Sequence, residues 1–263
     1  MKGASSLKPV PLVEVKNLTV KYQSPEGEIT ALKNLSLEVG KGEFIGIVGP
    51  SGCGKSTLLN VIAGLITTYT GEVLICGKAV RRGTRMVGYM PQSDQLFEWR
   101  TIWKNVLLGL EVQNNLNERT KSFAWKLLEN YGLADFAHAY PRQLSGGMRQ
   151  RAALIRTLAV DPEILLLDEA FSALDYQTRL IVADEVKQII ARENKTAILV
   201  THDIAEAISM SDKVVVLTKR PGSIKSIHNI ELTCSEKTPL KSREAPEFRL
   251  YFNSIWKELD VHV

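Results

Sequence analysis

Residues 43–65 read EFIGIVGPSGCGKSTLLNVIAGL. The opening apolar run fits a short buried strand, and TLLNVIAGL has helical texture that stops at a glycine. Between them, GPSGCGKST at 49–57 matches G-x-x-x-x-G-K-[ST], with an added glycine at 52. A strand before and a helix after this pattern predict a phosphate loop. Glycines let the backbone curl so that N–H groups face inward, and the helix N-terminus adds its positive dipole end. The cradle comprises Gly49, Pro50, Ser51, Gly52, Cys53, Gly54, Lys55, Ser56 and Thr57. Lys55 supplies charge for the β- and γ-phosphates, and Ser56 a hydroxyl for Mg²⁺.

A phosphate loop needs an acid nearby for the metal. ILLLDE at 164–169 supplies one: four apolar residues make a buried strand and Asp168 falls at its end. Open α/β sheets bind ligands at the carboxyl ends of their strands. Glu169, one residue on, is the candidate general base. Gln92 in YMPQSD follows a strand and can reach the metal or its water. His202 in LVTHD ends another apolar strand, expected beside the phosphate-loop strand, where it can contact the γ-phosphate.

Outward from these stretches, LVEVKNLTVKY (12–22) and ALKNLSLEV (31–39) read as two antiparallel strands joined by the turn SPEGE. EVLIC and RMVGYM are strand-like. From about Thr101 to Ala159 strands give way to helical periods, with Asn117 as N-cap and Gly132 as stop of the middle helix. Strand–helix alternation then resumes through EILLLD, a helix near 176–192, TAILVTH, a helix from Ile204, and KVVVLT. RPGSIKS reads as a turn between strands and SEKTPLKSREAP as a loop. The last segment, EFRLYFNSIWKEL, carries Phe248, Tyr251, Phe252, Ile255, Trp256 and Leu259 at helical spacing, as a terminal helix packed on the domain does.

The fold class is therefore α/β: a P-loop NTPase parallel sheet core with an antiparallel β flap and an inserted helical subdomain. A single domain spans 1–263. Residues 12–94 and 159–222 make the sheet core with its N-terminal flap, 95–158 the helical subdomain, and 223–263 a C-terminal loop and helix.

The chain of 263 residues carries a formal charge of +4, with 44% hydrophobic and 24% charged residues. That is an ordinary globular composition, long enough for a sizeable core. No stretch approaches the roughly 18 apolar residues that span a bilayer, and the start, MKGASSLKPVP, lacks the apolar core of a signal peptide. Three cysteines, Cys53, Cys76 and Cys234, show no metal-site spacing and read as reduced and structural. No basic, aromatic-rich face suggests nucleic acid.

LSGGMRQ at 144–150 sets a serine and two glycines before a helix, a second anion site by the same dipole argument. It lies in the helical region, away from the sheet's switch point. A second, head-to-tail copy could present it to the first copy's phosphate loop, trapping two nucleotides under C₂ symmetry.

Taken together, the phosphate loop at 49–57, Gln92, LSGGM at 144–148, LLLDE at 165–169, SALD at 172–175 and His202 resemble the ATP-binding cassette (ABC) ATPases over residues 12–222. The resemblance implies that Tyr22 stacks on adenine. It implies that Ser145, Gly146 and Gly147 grip the γ-phosphate of the other protomer's ATP, and that Asp175 lies in the loop joining the two sites. Only about fifty residues separate Gln92 from Ser145, without heptads, which argues against chromosome-type heads. A single phosphate loop argues against tandem translation factors.

Finer stretches, among them LFEWRTIWKNVLLGL, FSALDYQTR and KRPGSI, resemble importer cassettes for nitrate, sulfonate, taurine and related small anions. Three positions depart: Ala170 where proline usually follows the glutamate, Glu98 where proline precedes the tryptophan, and Ile155 where alanine is common. The resemblance implies ATP and Mg²⁺ as cofactors and a second ATPase subunit, identical or related. It further implies an integral membrane permease docked near Leu96, Phe97 and Trp99, a solute-binding protein acting indirectly, and a peripheral place on the cytoplasmic face of the cell membrane. A cytosolic ATP-dependent switch without a membrane partner is the alternative.

Overall fold

The computed structural model describes residues 10–25, 27–234 and 238–259. The signal-peptide reading of the first residues falls almost wholly outside these, as do position 26 of the SPEGE turn and positions 235–237 of the polar segment. Ten strands and eight α-helices are described: β1 (Val13–Ser24), β2 (Gly27–Val39), β3 (Phe44–Val48), α1 (Lys55–Ile62), β4 (Thr70–Ile75), β5 (Lys78–Ala79), β6 (Val87–Met90), α2 (Ile102–Val112), α3 (Glu118–Asn130), α4 (Gly146–Leu158), β7 (Ile164–Asp168), α5 (Tyr176–Arg192), β8 (Thr196–Val200), α6 (Ile204–Met210), β9 (Lys213–Leu217), β10 (Ile224–Asn229), α7 (Pro239–Ser242) and α8 (Pro246–Leu259).

Two sheets form. The six-stranded one runs β10-β9-β3-β8-β7-β6, with β9, β3, β8, β7 and β6 parallel and β10 antiparallel to β9. Every residue of β3, β7 and β8 is buried. That explains why these strands read as continuous apolar runs rather than as alternating ones. The four-stranded sheet runs β2-β1-β4-β5, all antiparallel. The flap is thus not solely N-terminal, because EVLIC joins it rather than the parallel sheet. Its pairing residues Val13, Val15 and Val73 share one apolar cluster with α1 and with Ile45, Ile47, Leu166 and Ile198 of the parallel sheet.

The alternate residues of the same strands, Leu165, Leu167, Ala197 and Leu199, face a second cluster containing Val186 and Ile190 of α5 and Ala153 of α4. That cluster continues without a break into Val106, Leu110, Leu127 and Leu128 of α2 and α3. The helical segment therefore shares its core with the sheet. Ile155 and Ala170, two of the departures from the family pattern, are fully buried there.

Local signals explain the helix limits. Asn117 forms a reciprocal capping box with Thr120, and Gly132 takes a positive φ of 68° two residues past α3. The polar segment read as a loop instead contains α7. Thr238 accepts from Lys241 N, and Pro239 occupies the first turn, where its missing N–H costs nothing. In α8, Ile255 is fully buried against Ala207, Ile208 and Val216, with Phe248, Tyr251, Phe252 and Leu259 partly buried around it. Trp256 departs from the expected packed face: it is half exposed and stacks on Phe252.

Candidate nucleotide site

The phosphate loop sits where the physics of its residues requires. β3 ends at Val48 in the middle of the parallel sheet. Gly52 and Gly54 adopt φ of 72° and 103°, values open to glycine and strained for other residues. A Cβ on Gly54 would also crowd the Leu32 side chain at 2.6 Å and Ala31 O at 3.1 Å, so Leu32 would have to shift. Buried Leu58, Leu59, Val61 and Ile62 hold α1 against the sheet. Each such side chain stabilises by about 1.5–3 kcal/mol relative to exposure, as an upper estimate.

A cavity of about 520 Å³ opens over this loop. Its walls include Tyr22, Ile29, Ser51, Gly52, Lys55 and Ser56, together with Glu169, His202 and Arg220. Lys55 is only 7% exposed, and its Nζ donates to Gly49 O (2.8 Å) and Pro50 O (3.1 Å). Cys53 lies beneath the loop, fully buried. Burial pushes its thiol pKa up, as befits a structural rather than a reactive cysteine. Among the described residues no disulfide forms, and Cys76 is exposed.

The acidic pair lies across the sheet from Lys55. Ser56 Oγ donates to Asp168 Oδ1 (3.0 Å), and Tyr89 Oη donates to Asp168 Oδ2 (2.9 Å). Burial, then the neighbouring carboxylate, holds the Tyr89 phenol well above its usual range, so it remains a donor. Asp168 is itself buried at the end of β7. One anchored carboxylate beside a hydroxyl is a donor set that suits Mg²⁺, which takes one or two carboxylates and draws its remaining oxygens from phosphates and water.

Glu169 follows with φ 48°, an unusual backbone for a glutamate, held by its N–H donating to Val200 O (2.8 Å). Its Oε2 lies 3.3 Å from His202 Nδ1 and accepts from Gln92 Nε2 at 3.3 Å. His202 follows β8, which pairs with β3 as expected. Gln92 and Asp168 stand beside the cavity rather than among the residues lining it.

Of the remaining sequence candidates, Tyr22 belongs to the cavity, while Asp175 and Ser145 lie away from it. Tyr22 lines the cavity, with its hydroxyl 3.3 Å from Thr57 Oγ1. Asp175 caps α5, its Oδ1 accepting from Thr178 N at 3.1 Å. Ser145 caps α4, its Oγ accepting from Met148 N at 3.3 Å. None of Ser145, Gly146 and Gly147 lines the cavity over Lys55.

Several residues escaped the sequence reading. Tyr89 contacts Asp168 only because β6 pairs with β7. Arg220 reaches the cavity through the turn after β9. There Gly222 N donates to Ala31 O (2.8 Å), and a Cβ on Gly222 would lie 2.0 Å from Cys53 O. The stretch KRPGSI held that signal, as a glycine at a close approach to the phosphate loop. Arg149 and Arg156 of α4 grip the loop after Gln92, through Asp94 Oδ2 (3.1 Å) and through the carbonyls of Asp94 and Gln95 (both 2.7 Å). The helix that follows LSGGM is thereby tied to the loop that carries Gln92.

Glu206, in the first turn of α6, is 4% exposed, and burial pushes its pKa up to about 7. Because this folded value exceeds the unfolded one near 4.5, its contribution to stability is complete below that lower value. It is lost as pH rises through about 7. Glu206→Gln removes that dependence. Over pH 4.5 to 8 the variant should lose about 3 kcal/mol less unfolding free energy than the parent. Urea titrations of both proteins across that range check this, and equal slopes would refute it.

A parallel sheet with a phosphate loop after one strand, an acid pair after a second and a histidine after the strand between them defines a P-loop nucleoside-triphosphate hydrolase. The relatives narrow that class. The ABC transporter family model matches residues 32–172. The uncharacterized ABC transporter ATP-binding protein YtlC of Bacillus subtilis (strain 168) is 47% identical over 94% of this chain and 95% of its own. The nitrate import ATP-binding protein NrtD of Synechocystis is 38% identical over 92% of this chain and 93% of its own. The aliphatic sulfonates import protein SsuB of Bacillus cereus is 36% identical over 82% and 84%. Among solved structures, the dimeric post-hydrolysis ATP-binding cassette MJ0796, bound to ADP and Pi, superposes with a TM-score of 0.71. It is 32% identical and covers 83% of this chain and 99% of its own. The chain belongs to the ABC transporter ATPases.

Proposed function

We propose that this chain is the ATP-hydrolysing subunit of an ABC importer, working as a head-to-tail dimer on the cytoplasmic face of the cell membrane. What supports the dimer is that one chain's cavity has the phosphate loop, Glu169 and His202 in its walls and lacks LSGGM, while the similar MJ0796 cassette is dimeric. In this reading Lys55 neutralises the β- and γ-phosphates and Tyr22 stacks on the base. Ser145, Gly146 and Gly147 of the second copy close over the γ-phosphate. Ser56, Asp168 and Gln92 would hold Mg²⁺, whose role is to neutralise charge developing on the phosphates. Glu169, oriented by its contacts with His202 and Gln92, accepts the proton of the attacking water. Each nucleotide binds the closed dimer better than the open one, which is what lets it drive closure.

The permease seat follows from the loop after Gln92. Asn105 is fully buried and fixes this loop: its Oδ1 accepts from Phe97 N (2.7 Å), and the two hydrogens of its Nδ2 are shared among Phe97 O, Arg100 O and Thr101 O (3.1 Å each). Leu96 is core and cannot meet a partner. Phe97 and Trp99 stack at 4.8 Å, and Trp99 is 75% exposed. Beside them a groove lined by Tyr89, Pro91, Leu108 and Val112 has the apolar character a short permease helix needs.

Among the described residues no helix is long and apolar enough to cross a membrane; a separate integral membrane subunit is the reading that the import ATP-binding relatives favour. A small anion as cargo, reached through a solute-binding protein, is the reading that the nitrate and sulfonate relatives favour. Affinity purification of the chain from solubilised membranes should bring down an integral membrane protein. Trp99→Asp should cut that recovery by about 30-fold, the worth of a 2 kcal/mol hot spot, with the free chain's ATP hydrolysis unchanged. Recovery without any membrane protein would favour the cytosolic switch instead.

A further inference from the structure

Glu169 and His202 sit on two separate loops, and their 3.3 Å contact depends on how those loops are held. One side chain touches both. Arg179, half-buried in the first turn of α5, donates through Nη2 to Leu174 O (2.9 Å) and Ser172 O (3.3 Å). Those carbonyls belong to the tight turn that starts at Glu169, where Ser172 N donates to Glu169 O at 3.0 Å. Its Nη1 lies 3.8 Å from Asp203 Oδ2, and Asp203 is the neighbour of His202. Asp203 is fixed in turn: its N–H donates to Thr201 Oγ1 (3.0 Å), and its Oδ1 accepts from Glu206 N (3.1 Å) as the cap of α6.

We propose that Arg179 is a positioning residue for hydrolysis: one guanidinium fastens the loop carrying Glu169 to the loop carrying His202. The planar fork suits the task, since two carbonyls on one side and a carboxylate on the other are met by one rigid group. Lysine would meet fewer of them. The Leu174 carbonyl it holds immediately precedes Asp175, so the same group also sets the entry to the segment expected to face the second copy. Arg179 does not line the nucleotide cavity, and its effect must therefore pass through the two loops.

The proposal rests on Glu169 and His202 serving the reaction as read above. Steady-state MgATP hydrolysis by the full chain separates the two ideas. Arg179→Ala should lower kcat by up to about 10²-fold, the usual effect of misplacing a reacting group, with KM for ATP within about twofold of the parent. Arg179→Lys should recover part of the loss and serves if the alanine variant fails to fold. Asp203→Asn keeps the helix cap while removing the charge. In a double-mutant cycle its effect on kcat should be less than additive with Arg179→Ala, or with Arg179→Lys if the alanine variant fails to fold. Unchanged kcat in folded Arg179→Ala, a raised KM with kcat intact, or strict additivity would each overturn it. Glu169→Gln in the same assay guards the underlying reading. If that variant turns over normally, the reading of the base falls. If it is inactive while Arg179→Ala is normal, only the Arg179 proposal falls.

Discussion

Glu169→Gln is expected to bind MgATP as the parent does and to hydrolyse it about 10²–10⁴-fold more slowly, the range a positioned general base supplies. The substitution keeps volume and shape, so the cavity and the flap remain as they are. What it removes is the acceptor of a proton. Glu169 stands in the left-handed backbone region at φ 48°, and its main chain is pinned to β8 by the hydrogen bond to Val200 O. A strained conformation that costs about 1–2 kcal/mol persists only where the surroundings over-determine it. Glutamine fits the same backbone, so the variant should fold and retain nucleotide. Equilibrium binding and phosphate release measured on one preparation decide the matter, and release at the parental rate would dismiss Glu169 as base.

Much of this geometry was legible because each reacting group ends an apolar run. β3, β7 and β8 read as strands on hydrophobicity alone, and the residue after each strand falls at the carboxyl edge of the sheet, where ligands bind. The positive φ at Glu169 left no trace in the sequence, since glutamate gives no sign of the left-handed region as glycine does. Tyr89 was invisible for another reason: its bond to Asp168 depends on strand order, and β6 and β7 are separated in the chain by the whole helical segment. Leu96 shows the limit of proximity in sequence. It lies between Gln95 and Phe97 in the chain, yet it turns inward to the core while Phe97 and Trp99 stack together at the surface. Asn105 explains this, because a buried amide eight residues downstream dictates the loop's path.

The signature segment yields the second large effect, because it tests which chain completes the site. Ser145 caps a thirteen-residue helix, and the glycines after it are tightly packed. A Cβ at Gly146 would lie 3.1 Å from Leu174 and one at Gly147 3.0 Å from Val182. Ser145→Arg removes the cap, at about 1 kcal/mol, and sets a long cation where the serine hydroxyl is expected to meet phosphate. Mixed dimers carrying this lesion and Lys55→Ala then discriminate sharply. With the lesions in opposite protomers, both fall on one composite site and the other stays whole, so hydrolysis persists. With both in one protomer, each site loses a part, and hydrolysis should fall by about 10²-fold or more, the cost of removing donors aimed at developing charge. The reversed pattern would mean that each chain closes its own nucleotide. The same serine and glycines would then have to reach the cavity of their own chain, whose walls they do not enter.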